Sequence, residues 1–375
     1  MSNIRYHTVQ PENNKSQYNE FDTVSWLLVS DGRKLMKNSI RIEADLEVFS
    51  TGTTRKANTA DVKVNNLIGA HAFFESWSCE TESAGTLQNL ASYPRYVNMV
   101  ASSTLDSDDL NDCHHLAELR NPSERGAGAM VEELVSYNDN ATHTVLKDDA
   151  NFSIRPSICF NRCTADYSFS KNGYIRVSCN LARNNHALYG KDAAADVSYR
   201  LKNLVLKYVS VPDDGQQQKM LMRSYVSVRS AIQSTDSHIQ ARVPSKACNA
   251  VSISFLKQSN ESNNNSVDTY RLENFEQLEE INYMFNNSSS ESVTYPITNY
   301  ADAIKKGLES IEDSGHNQCN GNKLAGNKGT IFGLSFEEML DLSNQRYSIQ
   351  LKTANAGIST APKSVFMFFH ELLSL

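Results

Sequence analysis

Ile40–Val48 reads IRIEADLEV: Ile40, Ile42, Ala44, Leu46 and Val48 fall on one side of an extended chain, and Arg41, Glu43, Asp45 and Glu47 on the other. A period of two over that length marks a strand with one wet face and one core face; a helix would scatter the charges around its surface. Gly173–Leu181 repeats the pattern, with Ile175, Val177, Cys179 and Leu181 alternating with Arg176, Ser178 and Asn180. Working outward, Thr23–Ser30 (closed by the turn pair Asp31-Gly32), Asp61–Asn65, Ala70–Cys79, Asn151–Asn161 and Tyr199–Val211 also read as strands. Residues 106–150 read as mixed and loop-like.

Pro212-Asp213-Asp214-Gly215 is a turn signature, and after it the pattern starts again. Met220–Ile232, Ala247–Leu256, Ile281–Phe285, Val293–Pro296, Thr330–Phe336, Tyr347–Leu351 and Val365–Phe369 read as strands. The polar NNSSSES between Phe285 and Val293 reads as a hairpin turn. Leu272–Ile281 is compatible with a helical turn or an extended strap. Val365–Phe369 has no alternation, as expected of a strand buried on both faces. Each half also carries one helical segment. Tyr93-Pro94 opens the first, since proline suits a helix's first turn. Tyr295-Pro296 is expected to open the second, where Tyr300, Ile304, Leu308 and Ile311 line one face.

A chain of 375 residues suits two domains. It is expected to divide into a flexible N-terminal arm at 1–20, a first unit at 21–212 and a second at 213–375. The halves share a layout: strands, Tyr-Pro with a short helix, a loop, then three more strands. GYIRVSCNL from Gly173 answers RYSIQLKT from Arg346, and the segment ending at Phe160 answers the one ending at Phe336. LKNLVLKYVSV likewise answers SVFMFFHELL. About eight strands per half with one inserted helix indicate an all-β protein of two tandem jelly-roll β-sandwiches. A parallel α/β fold would need many more helices.

With that layout, INYMFNN…VTYPI from Ile281 and FGLSFEEMLDLSNQRYSIQL from Phe332, the chain resembles the double jelly-roll major capsid proteins of tailless double-stranded-DNA viruses, the lineage of tectiviruses, adenoviruses and virophages. The resemblance implies a structural, non-enzymatic protein of the virion. It would form a homotrimer whose six barrels tile an icosahedral shell as a pseudo-hexagon. Its partners would be neighbouring trimers, penton and minor capsid proteins, and in some relatives an internal membrane. Two other readings are compatible with the residues: a vertex (penton) protein with one jelly roll and an extra β domain, and a carbohydrate-binding β-sandwich adhesin.

The chemistry-bearing residues do not assemble into a known motif. Asp112-Cys113-His114-His115 is the densest group of metal-ligand types, but adjacent residues cannot all turn inward and no spaced partner pair follows. Cys159 and Cys163 lack such partners too. Asp106, Asp108, Asp109 and Asp112 lack the Gly and Glu spacing of a calcium loop. Gly326–Gly329 with Lys328 lacks the order of a phosphate loop. There is no His-x-His and no Gly-x-Ser-x-Gly. The expectation is no catalytic, cofactor-binding or metal residues and no cofactor. A net charge of −7 without a run of five or more Lys and Arg argues against direct nucleic-acid contact. The polar start of the chain shows no secretory signal, so the seven cysteines are expected to be free thiols.

Overall fold

The computed structural model describes residues 3–51, 54–55, 62–65, 68–104, 117–120, 135–137, 143–146, 149–188, 197–216, 219–232, 238–245, 247–261, 270, 272, 278–285, 292–296, 300–312, 319, 331–343, 346–353 and 363–375. The first half runs β1 (Arg5–Val9), β2 (Thr23–Leu28), β3 (Arg33–Leu35), β4 (Arg41–Thr51), β5 (Thr54–Arg55), β6 (Lys63–Asn65), β7 (Phe74–Thr81) and β8 (Gly85–Leu90). Helix α1 (Tyr93–Thr104) follows, then β9 (Val135–Tyr137), β10 (His143–Leu146), β11 (Asp149–Ile154) and β12 (Tyr167–Ser168). One-turn helices α2 (Phe169–Asn172) and α3 (Asn184–Ala187) flank β13 (Ile175–Leu181), and β14 (Ser198–Pro212) closes the half. The second half runs β15 (Leu221–Ile232), β16 (His238–Arg242), β17 (Cys248–Lys257), β18 (Leu278–Phe285) and β19 (Ser292–Pro296). It ends with helix α4 (Tyr300–Glu312), β20 (Phe332–Leu340), β21 (Arg346–Thr353) and β22 (Lys363–Ser374).

The pairing order is that of two jelly rolls on one plan. In the first, β1-β14-β4-β11 faces β2-β13-β7-β8; in the second, β15-β22-β17-β20 faces β16-β21-β18-β19. Take the eight principal strands of each half in chain order. One sheet then reads first-eighth-third-sixth and the other second-seventh-fourth-fifth, and each helix follows the fifth strand. The short β3, β5 and β12 extend the first sheet, and β6, β10 and β9 form a small sheet of their own. Sequence dictates the inward faces. Ile40, Ile42, Ala44, Leu46 and Val48 are all buried, as are Ile175, Val177, Cys179 and Leu181.

Several expectations are corrected. The residues Arg5–Val9, assigned to a free arm, pair antiparallel with β14 as the first strand of the first roll. Ala70–Phe73 belongs to a 3-10 turn that precedes β7, not to a strand. Gly69 lets that turn approach the chain closely: it has φ +57°, and a Cβ there would lie 2.2 Å from the Glu118 carbonyl oxygen. The stretch 106–150 holds strands in its described part. Tyr295-Pro296 does not open a helix. Both residues end β19, which pairs only with β18 among the described strands, and an edge strand tolerates the missing proline N–H. The helix starts four residues later, so the two Tyr-Pro pairs are not equivalent.

Two hydrophobic cores meet at β22. Val365, Met367 and Phe369 point into the second roll, with Ile253, Tyr283 and Ile349. Phe366 and Phe368 point the other way and join the core that includes Trp77, Phe152 and Val177 of the first roll. Both faces of the strand are dry, which explains its unbroken apolar run. Phe368→Ala should therefore cost about 3–5 kcal/mol of stability, read as a lowered urea midpoint. A loss below about 1 kcal/mol would mean that Phe368 does not fill the core.

Candidate functional site

The described residues place no catalytic constellation together. Asp106, Asp108, Asp109, the Asp112–His115 cluster and Gly326–Gly329 lie outside the described residues. Cys159 and Cys163 are buried, and the Cys163 thiol donates to the Phe160 carbonyl at 3.2 Å. Burial pushes the Cys163 thiol up to about 11, so it stays protonated and unreactive at neutral pH. Among the described residues no group of three His, Cys, Asp or Glu side chains is placed to hold a metal ion. No described helix is long and apolar enough to cross a membrane. Trp26 and Trp77 are wholly buried, 6.3 Å apart, so neither offers a stacking surface to a sugar ring.

What the chain builds instead is a seam between its two rolls. At the edges, β8 of the first roll and β15 of the second pair in parallel at Asn89 and Val226, fusing two four-stranded sheets into one of eight. Hydroxyls complete the seam. Ser224 Oγ donates to the Leu87 carbonyl at 2.6 Å, and the Ala91 N–H donates to Ser227 Oγ at 2.7 Å. The chain before β12 adds backbone bonds: the Arg223 N–H reaches the Arg162 carbonyl at 2.9 Å, and the Thr164 N–H reaches that of Leu221 at 2.9 Å.

Helix α1 lies over this seam. Its Tyr93 ring packs edge-on against Trp77, at 6.1 Å, inside the first roll. One turn on, Tyr96 meets Tyr225 at 4.7 Å and Phe368 at 5.3 Å in the second. Arg95 sits 4.4 Å above the Phe366 ring and 5.3 Å from that of Tyr270. The Asn98 side chain donates to the Tyr270 carbonyl at 2.7 Å, and the Tyr270 hydroxyl donates to the His186 carbonyl at 2.7 Å. The helix face i, i+3 thus carries one residue for each roll.

Helix α4 is fixed to the second roll by a buried polar chain. Ser310 Oγ donates to the Gly307 carbonyl at 2.7 Å and lies 2.8 Å from Ser252 Oγ of β17, which lies 2.8 Å from His370 Nε2 of β22. Since the one hydroxyl proton of Ser310 goes to Gly307, Ser252 donates to Ser310 and accepts from His370 Nε2–H. The imidazole is neutral. Burial, with help from the Arg223 charge, holds its pKa down at about 3. Ser252, Ser310 and His370 were not singled out from sequence. The available signal was Ser252 and Ser254 inside the apolar strand β17, small polar residues where a helix comes close.

Two outcomes follow. Unfolded, His370 binds a proton below its ordinary 6.5, whereas folded it resists until about 3, so its contribution is complete above pH 6.5 and drains away as pH falls towards 3. Relative to His370→Gln, the native chain should lose on the order of 2–3 kcal/mol between pH 6.5 and about pH 4.5. The comparison cancels the opposite shift of neighbouring Glu371, whose pKa burial raises. Parallel stability curves would show that His370 is not a buried neutral base. In addition, a Cβ on Gly307 would lie 1.9 Å from the Ile331 carbonyl oxygen. Gly307→Ala should thus destabilise by about 1–3 kcal/mol although helix propensity alone favours alanine by about 1 kcal/mol; a raised melting temperature would refute the close approach.

The outer faces of the first roll are ionic but self-neutralised. Lys202 and Arg200 of β14 meet Glu47 of β4 at 2.7 and 3.6 Å, and Lys207 meets Glu43 at 2.5 Å. Arg176 of β13 bridges Glu80 and Glu12 at 2.7 and 3.2 Å. On these described strands of the first roll, positive and negative side chains alternate across neighbouring strands.

No protein-family profile matches the sequence and no curated protein matches it, but the fold has clear counterparts. The Faustovirus major capsid protein superposes with a TM-score of 0.68 at 9% identity, over 100% of this chain and 90% of that one. A chain of the Sputnik virophage particle gives 0.59 at 10% identity, over 99% and 88%. PBCV-1 VP54, fitted into a reconstruction of Sputnik, gives 0.55 at 11% identity, over 100% and 95%. At such identities the likeness is one of fold, and it spans both rolls.

Proposed function

We propose that this chain is the major structural subunit of an icosahedral viral shell, a non-enzymatic protein of the virion. The observation that carries the reading is the repetition of one eight-strand plan in two rolls held side by side by a continuous sheet. Three such chains present six similar units, and a threefold molecule with near-sixfold outline can tile a closed surface. The division at 212/213, between β14 and β15, is the natural boundary of those units.

The fold shared with viral major capsid proteins over nearly their whole length supports this reading. A second roll on the same plan as the first counts against a vertex protein carrying one jelly roll and an unrelated β domain. Buried tryptophans count against a glycan-binding adhesin. Self-neutralised faces suit a layer that touches its neighbours, penton and minor capsid proteins or an internal membrane rather than the genome. Size-exclusion chromatography with light scattering on the purified protein should give three times the 41.9 kDa chain mass, and electron microscopy should show pseudo-hexagonal outlines. A pentamer, or a monomer stable at high concentration, would overturn the proposal.

A further inference from the structure

The seam inside the chain specifies a seam between chains. In each roll the first strand pairs on one side with the last: β15 with β22, and β1 with β14. The other edge of β15 is closed by β8, the fifth strand of the preceding roll. The corresponding edge of β1 meets no described strand, and neither does that of β19, the fifth strand of the second roll. Among the described strands, the chain therefore has both halves of a junction of the kind that it has already made once, each with its edge unpaired.

Resting on the shell-subunit reading above, we infer that β1 of one copy receives β19 of a second copy as β15 receives β8, making the contact between neighbouring subunits of the trimer. The occupant is a second copy because the intrachain seam supplies the complementary edge and its parallel sense. Exposure points the same way. Tyr6 of this short edge strand is 84% exposed and Ile4, just before it, 43%, and the strand has no proline or bulge to protect it. Thr8 is exposed too, and offers there a hydroxyl of the kind that Ser224 and Ser227 contribute to the β8–β15 seam. The contact is heterologous, fifth strand to first strand, so it must either close or run on as a fibre. With intrachain and interchain seams alternating, three chains complete a ring of six rolls.

The test uses full-length protein with Tyr6 replaced by the photo-crosslinker p-benzoylphenylalanine, mixed in equal parts with heavy-nitrogen copies before irradiation and peptide mapping. Mixed-isotope cross-links from residue 6 to the peptide containing Ser292–Pro296 of another copy are expected. Tyr6→Lys should weaken trimerisation by about tenfold or more while leaving the unfolding midpoint of the isolated subunit unchanged. A trimer in which residue 6 links elsewhere or to nothing, or which Tyr6→Lys leaves equally tight, overturns this inference and leaves the shell reading standing. No trimer at all overturns both.

Discussion

The architecture depends on one strand having two dry faces. β22 sends Val365, Met367 and Phe369 into the core of its own roll and Phe366 and Phe368 into the core of the other. At about 1.5–3 kcal/mol for each fully buried large side chain, these residues link the stability of the second sandwich to the position of the first. If the rolls separated, the outer face of β22 would expose two phenylalanines and strip the cover from Tyr225. The relation between the rolls is thus set by the same hydrophobic burial that folds them, and no flexible hinge is needed to account for it.

Around that constraint the polar groups are arranged to lose little. The edge between β8 and β15 is closed by one parallel backbone pair and two serine hydroxyls, so groups that would be costly to strip of water find partners. Helix α1 crosses the seam and gives Tyr93 to one roll and Tyr96 to the other. Helix α4 reaches the sheet through Ser310, Ser252 and a histidine kept neutral by burial. Each of these devices fixes the orientation of one element against another.

Much of the fold was legible because its signals are local. The alternation in Ile40–Val48 and Gly173–Leu181 depends only on which side chains face water, and the strands β4 and β13 follow it residue by residue. The non-alternating Val365–Phe369 likewise announced burial on both sides. Reading failed where a segment's state depends on remote partners. Arg5–Val9 is polar and short, and nothing in RYHTV reveals that β14, two hundred residues away, has an open edge for it. Tyr295-Pro296 looked like a helix start because proline is acceptable there, but it is equally acceptable at the edge of a sheet, and pairing with β18 decided the matter.

By itself, then, the sequence determined the class of the protein: an all-β chain of two similar halves. Period-two burial and turn residues suffice for that, because each acts within a few positions of the chain. Only the tertiary structure decided that the two halves share an identical pairing order, that they are welded into an eight-stranded sheet, and that β1 and β19 each keep one edge unpaired among the described strands. Those are facts of which strand lies beside which, fixed by long-range burial and backbone pairing that leave no periodic trace in the residues themselves.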